Sequence, residues 1–123
     1  MIRTLAAVLF MLLATPSFAC IWLEASEPAQ GEEVHIDNNR VELEFIEAVE
    51  PSAVLATVHD EQGRQVSTGE IIRGDNDKTV YVILKPQSAR TGYAHGDYVV
   101  RWRVPSAHES SGEFTFRVHK HGG

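Results

Sequence analysis

The stretch Gly96-Asp97-Tyr98-Val99-Val100-Arg101-Trp102-Arg103-Val104 decides how this chain folds. Tyr98, Val100, Trp102 and Val104 recur at every second position, with Arg101 and Arg103 between them. Successive side chains of an extended strand point to opposite faces, so this spacing predicts a strand with one face in a core and one in water. Toward the C-terminus, Glu113–His119 repeats the pattern, with Phe114, Phe116 and Val118 inward. Toward the N-terminus, Thr79–Leu84 is continuously apolar from Val80 to Ile83, as expected of a strand covered on both faces. Val54–Asp60 sets Val54, Ala56 and Val58 against Leu55, Thr57 and His59, and Arg40–Ile46 sets Val41, Leu43 and Phe45 against Glu42 and Glu44.

Asp60-Glu61-Gln62-Gly63 predicts a hairpin turn, with Gly63 supplying positive φ. The connection Lys85–Asp97 carries Pro86, Gly92 and Gly96 and predicts a loop with room for one helical turn. No stretch of a dozen residues shows helical spacing. Short strands separated by Gly, Pro, Asn and Asp turns predict an all-β domain, a two-sheet antiparallel sandwich or small Greek-key barrel. There is no internal repeat and no second domain.

The chain has 123 residues, 43% hydrophobic and 23% charged, with 17 acids, 11 bases and a net charge of -6. This composition is that of a globular protein and excludes a collagen, a disordered acidic tail and a polytopic membrane protein. The acidic balance also argues against nucleic acid, whose phosphates require a clustered Lys/Arg surface.

Residues 1–19 predict a secretory signal peptide: Arg3, an apolar run from Leu5 to Ala14, Pro16, then Ser17-Phe18-Ala19 before the cut. The run is shorter than the roughly 20 residues a spanning helix needs. Residues 20–123 are then the exported domain, and both methionines, Met1 and Met11, leave with the signal. Cys20 becomes the chain end. As the only cysteine it has no intrachain partner, although it can pair between chains in an oxidising compartment. It also occupies the position that lipoprotein processing acylates, which would consume both its amine and its thiol; that pathway usually wants Leu where this chain has Ser17.

Motifs for catalysis are missing: there is no Gly-x-Ser-x-Gly elbow, HExxH helix, P-loop or paired-cysteine zinc spacing. Glu42, Glu44 and Glu47 read as a solvated strand face. The six histidines are His35, His59, His95, His108, His119 and His121. Taken singly, His35, His59 and His95 are surface residues. His119 and His121, two apart in an extended segment, have the spacing to grip a divalent cation weakly, on a tail ending Gly122-Gly123.

The motifs taken together resemble the CopC family of periplasmic copper-resistance proteins. Leu23-Glu24-Ala25-Ser26-Glu27-Pro28-Ala29-Gln30-Gly31 is similar to the family's L-x-x-S-x-P-A-x-G opening. Val41–Val49 resembles its V-x-L-x-F-x-E-x-V strand and Gly96–Trp102 its G-x-Y-x-V-x-W. His108, Gly112, Phe116 and Val118 resemble its closing H-x-x-x-G-x-x-x-F-x-V. The resemblance implies a small β-barrel of immunoglobulin-like shape, exported to the periplasm. It implies a monomer that carries copper rather than catalysing a reaction, with an inner-membrane copper transporter as a partner.

The family pattern is broken at its metal ligands. Where the family's mature chain begins with His, this one has Cys20; a further family His falls on Trp22. The family's late S-x-D-G-H keeps its His at His108, but Ser106 and Ala107 stand for the Asp and Gly. A bare Cys20 offers an amine of ordinary pKa about 7.7–8.0 and a thiol of about 8.5, spaced to close a five-membered chelate ring. With His108 this gives an N,S,N set, and a soft thiolate favours Cu(I) over Cu(II). Glu109 is a further oxygen donor, although in an extended segment it points away from His108. The expectation is a copper site at Cys20 and His108. The competing expectation is a metal-free interaction module that kept the scaffold, tethered to a membrane where Cys20 is lipidated.

Overall fold

The computed structural model describes residues 21–36, 38–86, 92–105 and 110–119. The predicted signal peptide, Cys20, His108, Glu109 and His121 lie outside those residues. The strands are β1 (Leu23–Glu27), β2 (Glu33–Val34), β3 (Arg40–Phe45), β4 (Leu55–His59), β5 (Ser67–Arg73), β6 (Thr79–Leu84), β7 (Gly96–Val104) and β8 (Ser110–Val118). One short 3-10 turn, Pro51–Ala53, precedes β4. Helical structure thus falls in the β3–β4 connection, and residues 87–91 of the predicted loop lie outside the described part.

Two four-stranded sheets pack face to face, in the orders β1-β3-β6-β5 and β2-β8-β7-β4. Val41, Leu43, Phe45, Val80, Val82 and Leu84 cover the inner face of the first. Ala56, Val58, Tyr98, Val100, Trp102, Val104, Phe114, Phe116 and Val118 cover the second. Each such side chain contributes about 1.5–3 kcal/mol when fully withdrawn from water, which is why the alternation decides the fold. The Phe45 and Trp102 rings meet edge to face at 5.4 Å across the sandwich, and Tyr98 stacks on Phe116 at 5.5 Å. β6 is covered on both faces, as its apolar run predicts: on its outer side the Arg40 guanidinium lies 4.0 Å over the Tyr81 ring.

The predicted turn at Asp60 carries the chain from one sheet to the other. The buried Asp60 carboxylate accepts hydrogen bonds from the N–H groups of Gln62 (3.0 Å) and Arg64 (2.9 Å), and Gly63 sits at φ +83°. β5, which alternation missed, has only Ser67 buried, and its register shifts between Ser67 and Ile71 around Gly69 at φ +97°. The glycine supplies the bulge and breaks the period that would have marked the strand.

The sandwich departs from purely antiparallel pairing at β2, which runs parallel to β8. Residues 28–32 leave the first sheet after β1 and turn at Gly31, φ +77°, into the second. The segment is stitched to β8 by Gly31 N–H to Thr115 O, Arg117 N–H to Glu32 O and His119 N–H to Val34 O, all 2.8–2.9 Å.

Candidate metal centre

Cys20 and His108 lie outside the described residues, and the described residues nearest them are Ile21 on one side and Pro105 and Ser110 on the other. β7 and β8 pair out to Val104 and Ser110, so the connection that holds position 108 is only residues 105–109. Ser110 is 1% exposed, and its hydroxyl accepts a hydrogen bond from the N–H of Ile21 at 2.5 Å. Ile21 packs half-buried on the core. One residue on, Ile46 N–H donates to Trp22 O at 3.0 Å, which ties the segment before β1 to the end of β3. Two backbone positions 89 residues apart in sequence therefore meet at one corner of the sandwich.

Trp22 is 54% exposed. Glu47 is exposed and lies just past β3, which ends at Phe45. Alternation grouped it with Glu42 and Glu44.

The other histidines lie elsewhere. His59 lies with Leu55 and Thr57 on the outer face of β4 and is half-buried there: its Nδ1 is buried and has no hydrogen-bond partner among the described residues. His119 sits at the end of β8, not on a free tail. Its backbone N–H is bonded to Val34, and its Nδ1 donates to Glu33 Oε2 at 3.1 Å. That end is separated from Ser110 by the nine-residue length of β8, roughly 25–30 Å of strand. The structure therefore places His119 far from the corner formed by Ile21 and Ser110.

Two buried phenols mark the hydrogen-bonded interior near the β4–β5 turn. Tyr98 O–H donates to Ala94 O at 2.7 Å, and Tyr93 O–H lies 2.8 Å from Asn39 Oδ1 and 2.9 Å from Lys85 O. Burial pushes both pKa values up to about 12.

Fold and corner together define a small two-sheet β-sandwich in which the segment before β1 is bonded to the first residue of β8. The chain belongs to the CopC family: residues 23–119 match the CopC domain. That family comprises copper-resistance proteins rather than enzymes. Among solved structures, the chain is similar to CopC from Methylosinus trichosporium OB3b, with a TM-score of 0.68 and 24% identity over 84% of this chain and 97% of that one. It is also similar to PcoC, a methionine-rich copper resistance protein from Escherichia coli, with a TM-score of 0.68 and 21% identity over 82% and 100%. No curated protein matches the sequence significantly.

Proposed function

We propose that this protein is an exported copper carrier or buffer of the periplasm. Removal of residues 1–19 would bare Cys20, whose amine and thiolate chelate the ion while His108 supplies an imidazole. The observation that supports this is the Ile21 N–H to Ser110 Oγ bond. Consecutive Cα atoms are about 3.8 Å apart, so residue 20 starts one step from that bond and residue 108 two steps from it. In this reading the two residues share a single ion, whose bonds to N and S would be about 2.0–2.3 Å.

A thiolate, an amine and an imidazole are a softer set than the His and Asp pattern of the family, and they favour Cu(I). The protein's own part is positional: it holds the new chain end against Ser110 so that amine and imidazole face one ion. Anaerobic titration of the exported protein with Cu(I) and Cu(II), beside His108→Ala, tests the reading. It predicts one tightly held Cu(I) that His108→Ala weakens by at least tenfold. Equal, weak uptake by both proteins overturns it. A mass increase of several hundred daltons (order of magnitude, for attached acyl chains) would instead establish the tethered, metal-free module.

A further inference from the structure

At the far end of the sandwich, strand register assembles three histidines that are remote in sequence. β2 runs parallel to β8 with Val34 opposite Val118, so the next residues, His35 and His119, fall side by side. β7 runs antiparallel to β8 with Gly96 opposite Val118, so the preceding residue, His95, falls on the other side of His119. The result is one row of imidazoles across three adjacent strand positions. Ring centres are 5.5 Å apart for His35 and His119 and 5.9 Å for His95 and His119, each pair edge to face. Two imidazoles bound to one tetrahedral ion through bonds of about 2.0–2.1 Å have ring centres about 5–5.5 Å apart, so small side-chain rotations bring these rings to that spacing.

The hydrogen bonds set the tautomers. A carboxylate only accepts, so the contact of His119 Nδ1 with Glu33 Oε2 puts the proton on Nδ1 and leaves Nε2 with its lone pair. This is the carboxylate–histidine arrangement that orients ligands in metal sites. A guanidinium only donates, so the Nη2 of Arg117, 3.1 Å from His95 Nε2, identifies that nitrogen as the basic one too. Arg117 is also held by Asp97 at 2.7 Å. Among the described residues no three donors already converge on one point, and Arg117 is the visible reason on the His95 side. Its side chain is 43% exposed, and Asp97 holds a different nitrogen, Nη1, from the one that meets His95.

We propose that His35, His95 and His119 form a second metal site, for an imidazole-preferring divalent cation such as Zn(II), gated by Arg117 and oriented by Glu33. Imidazole ligands suit Zn, Cu and Ni. The chain's only methionines are Met1 and Met11, so no thioether competes at this end. The site is independent of the copper corner.

Zn(II) titration against a chromophoric chelator tests it, on the exported protein carrying Cys20→Ser and His108→Ala so that the corner contributes nothing. One equivalent of zinc is expected, weakened at least about tenfold by His119→Ala and about tenfold by Glu33→Gln. Arg117→Gln, which removes a competing cation, is expected to tighten binding about threefold. Long-range 1H–15N spectra of the unsubstituted histidines supply a readout independent of any variant's folding: zinc should shift Nε2 of His35, His95 and His119. No zinc binding, binding unaffected by His119→Ala, or binding lost only on His121→Ala overturns the proposal. Because copper uptake is not measured in this background, failure here leaves the Cys20 and His108 reading to its own titration.

Discussion

Ser110→Ala is the substitution that most sharply separates a scaffold role from a metal role. The Ser110 hydroxyl is buried and accepts the Ile21 N–H at 2.5 Å. A net hydrogen bond contributes about 0.5–1.5 kcal/mol, and a buried donor left without a partner costs about 1–3 kcal/mol. Ile21 is only half-buried, so water takes over part of that donor's loss, and the expected destabilisation is about 1–2 kcal/mol. Most of it falls on the docking of the chain end, because β8 keeps its ladder with β7 through Val104 and beyond. A docking equilibrium weakened by about 1.4 kcal/mol shifts tenfold. If Cys20 and His108 bind one ion together, Cu(I) affinity should then fall by about three- to tenfold. Urea unfolding gives the stability and anaerobic competition with a Cu(I) chelator gives the affinity. A variant that loses the stability yet holds copper as tightly as the parent would refute the link between the pinned chain end and the metal.

Gly112→Ala should cost about 1–3 kcal/mol in urea unfolding, because a Cβ there would stand 2.8 Å from the Trp102 indole, which is itself packed on Phe45. Asp60→Ala should cost about 2 kcal/mol by removing a buried carboxylate that accepts from two turn N–H groups and Arg64; unchanged stability would mean the turn holds without it. Ultraviolet titration should find Tyr93 and Tyr98 ionising near pH 12, above the ordinary value of 10.0. Since their folded pKa is raised, the stability their neutral forms contribute is fully present below pH 10 and is lost as pH rises toward 12. Phenols ionising near 10 would contradict the burial of both rings.

The inner faces of β3, β4, β7 and β8 were legible because each side chain's fate follows from a period of two, and β6 because a short continuous apolar run marks a strand covered on both faces. Edge strands escaped the same reading. β1 shows its side chains largely to solvent, β2 is two residues long, and β5 is bulged at Gly69. Without a buried face, sequence carries no period to detect. Site residues behave differently again. The family resemblance picked out Cys20 and His108, but the meeting of Ile21 with Ser110 is a property of tertiary packing that no local pattern carries. The His35, His95 and His119 row was invisible for the same reason: each histidine alone is a surface residue, and only three pairings at Val34, Gly96 and Val118 align them.

X-ray absorption at the copper edge of the processed, Cu(I)-loaded protein measures the central claim most directly. The account predicts one sulfur and nitrogen neighbours on a single ion, with the nitrogen contribution reduced in His108→Ala and the sulfur lost in Cys20→Ser. A copper environment without sulfur, or one identical in the parent and His108→Ala, would contradict it.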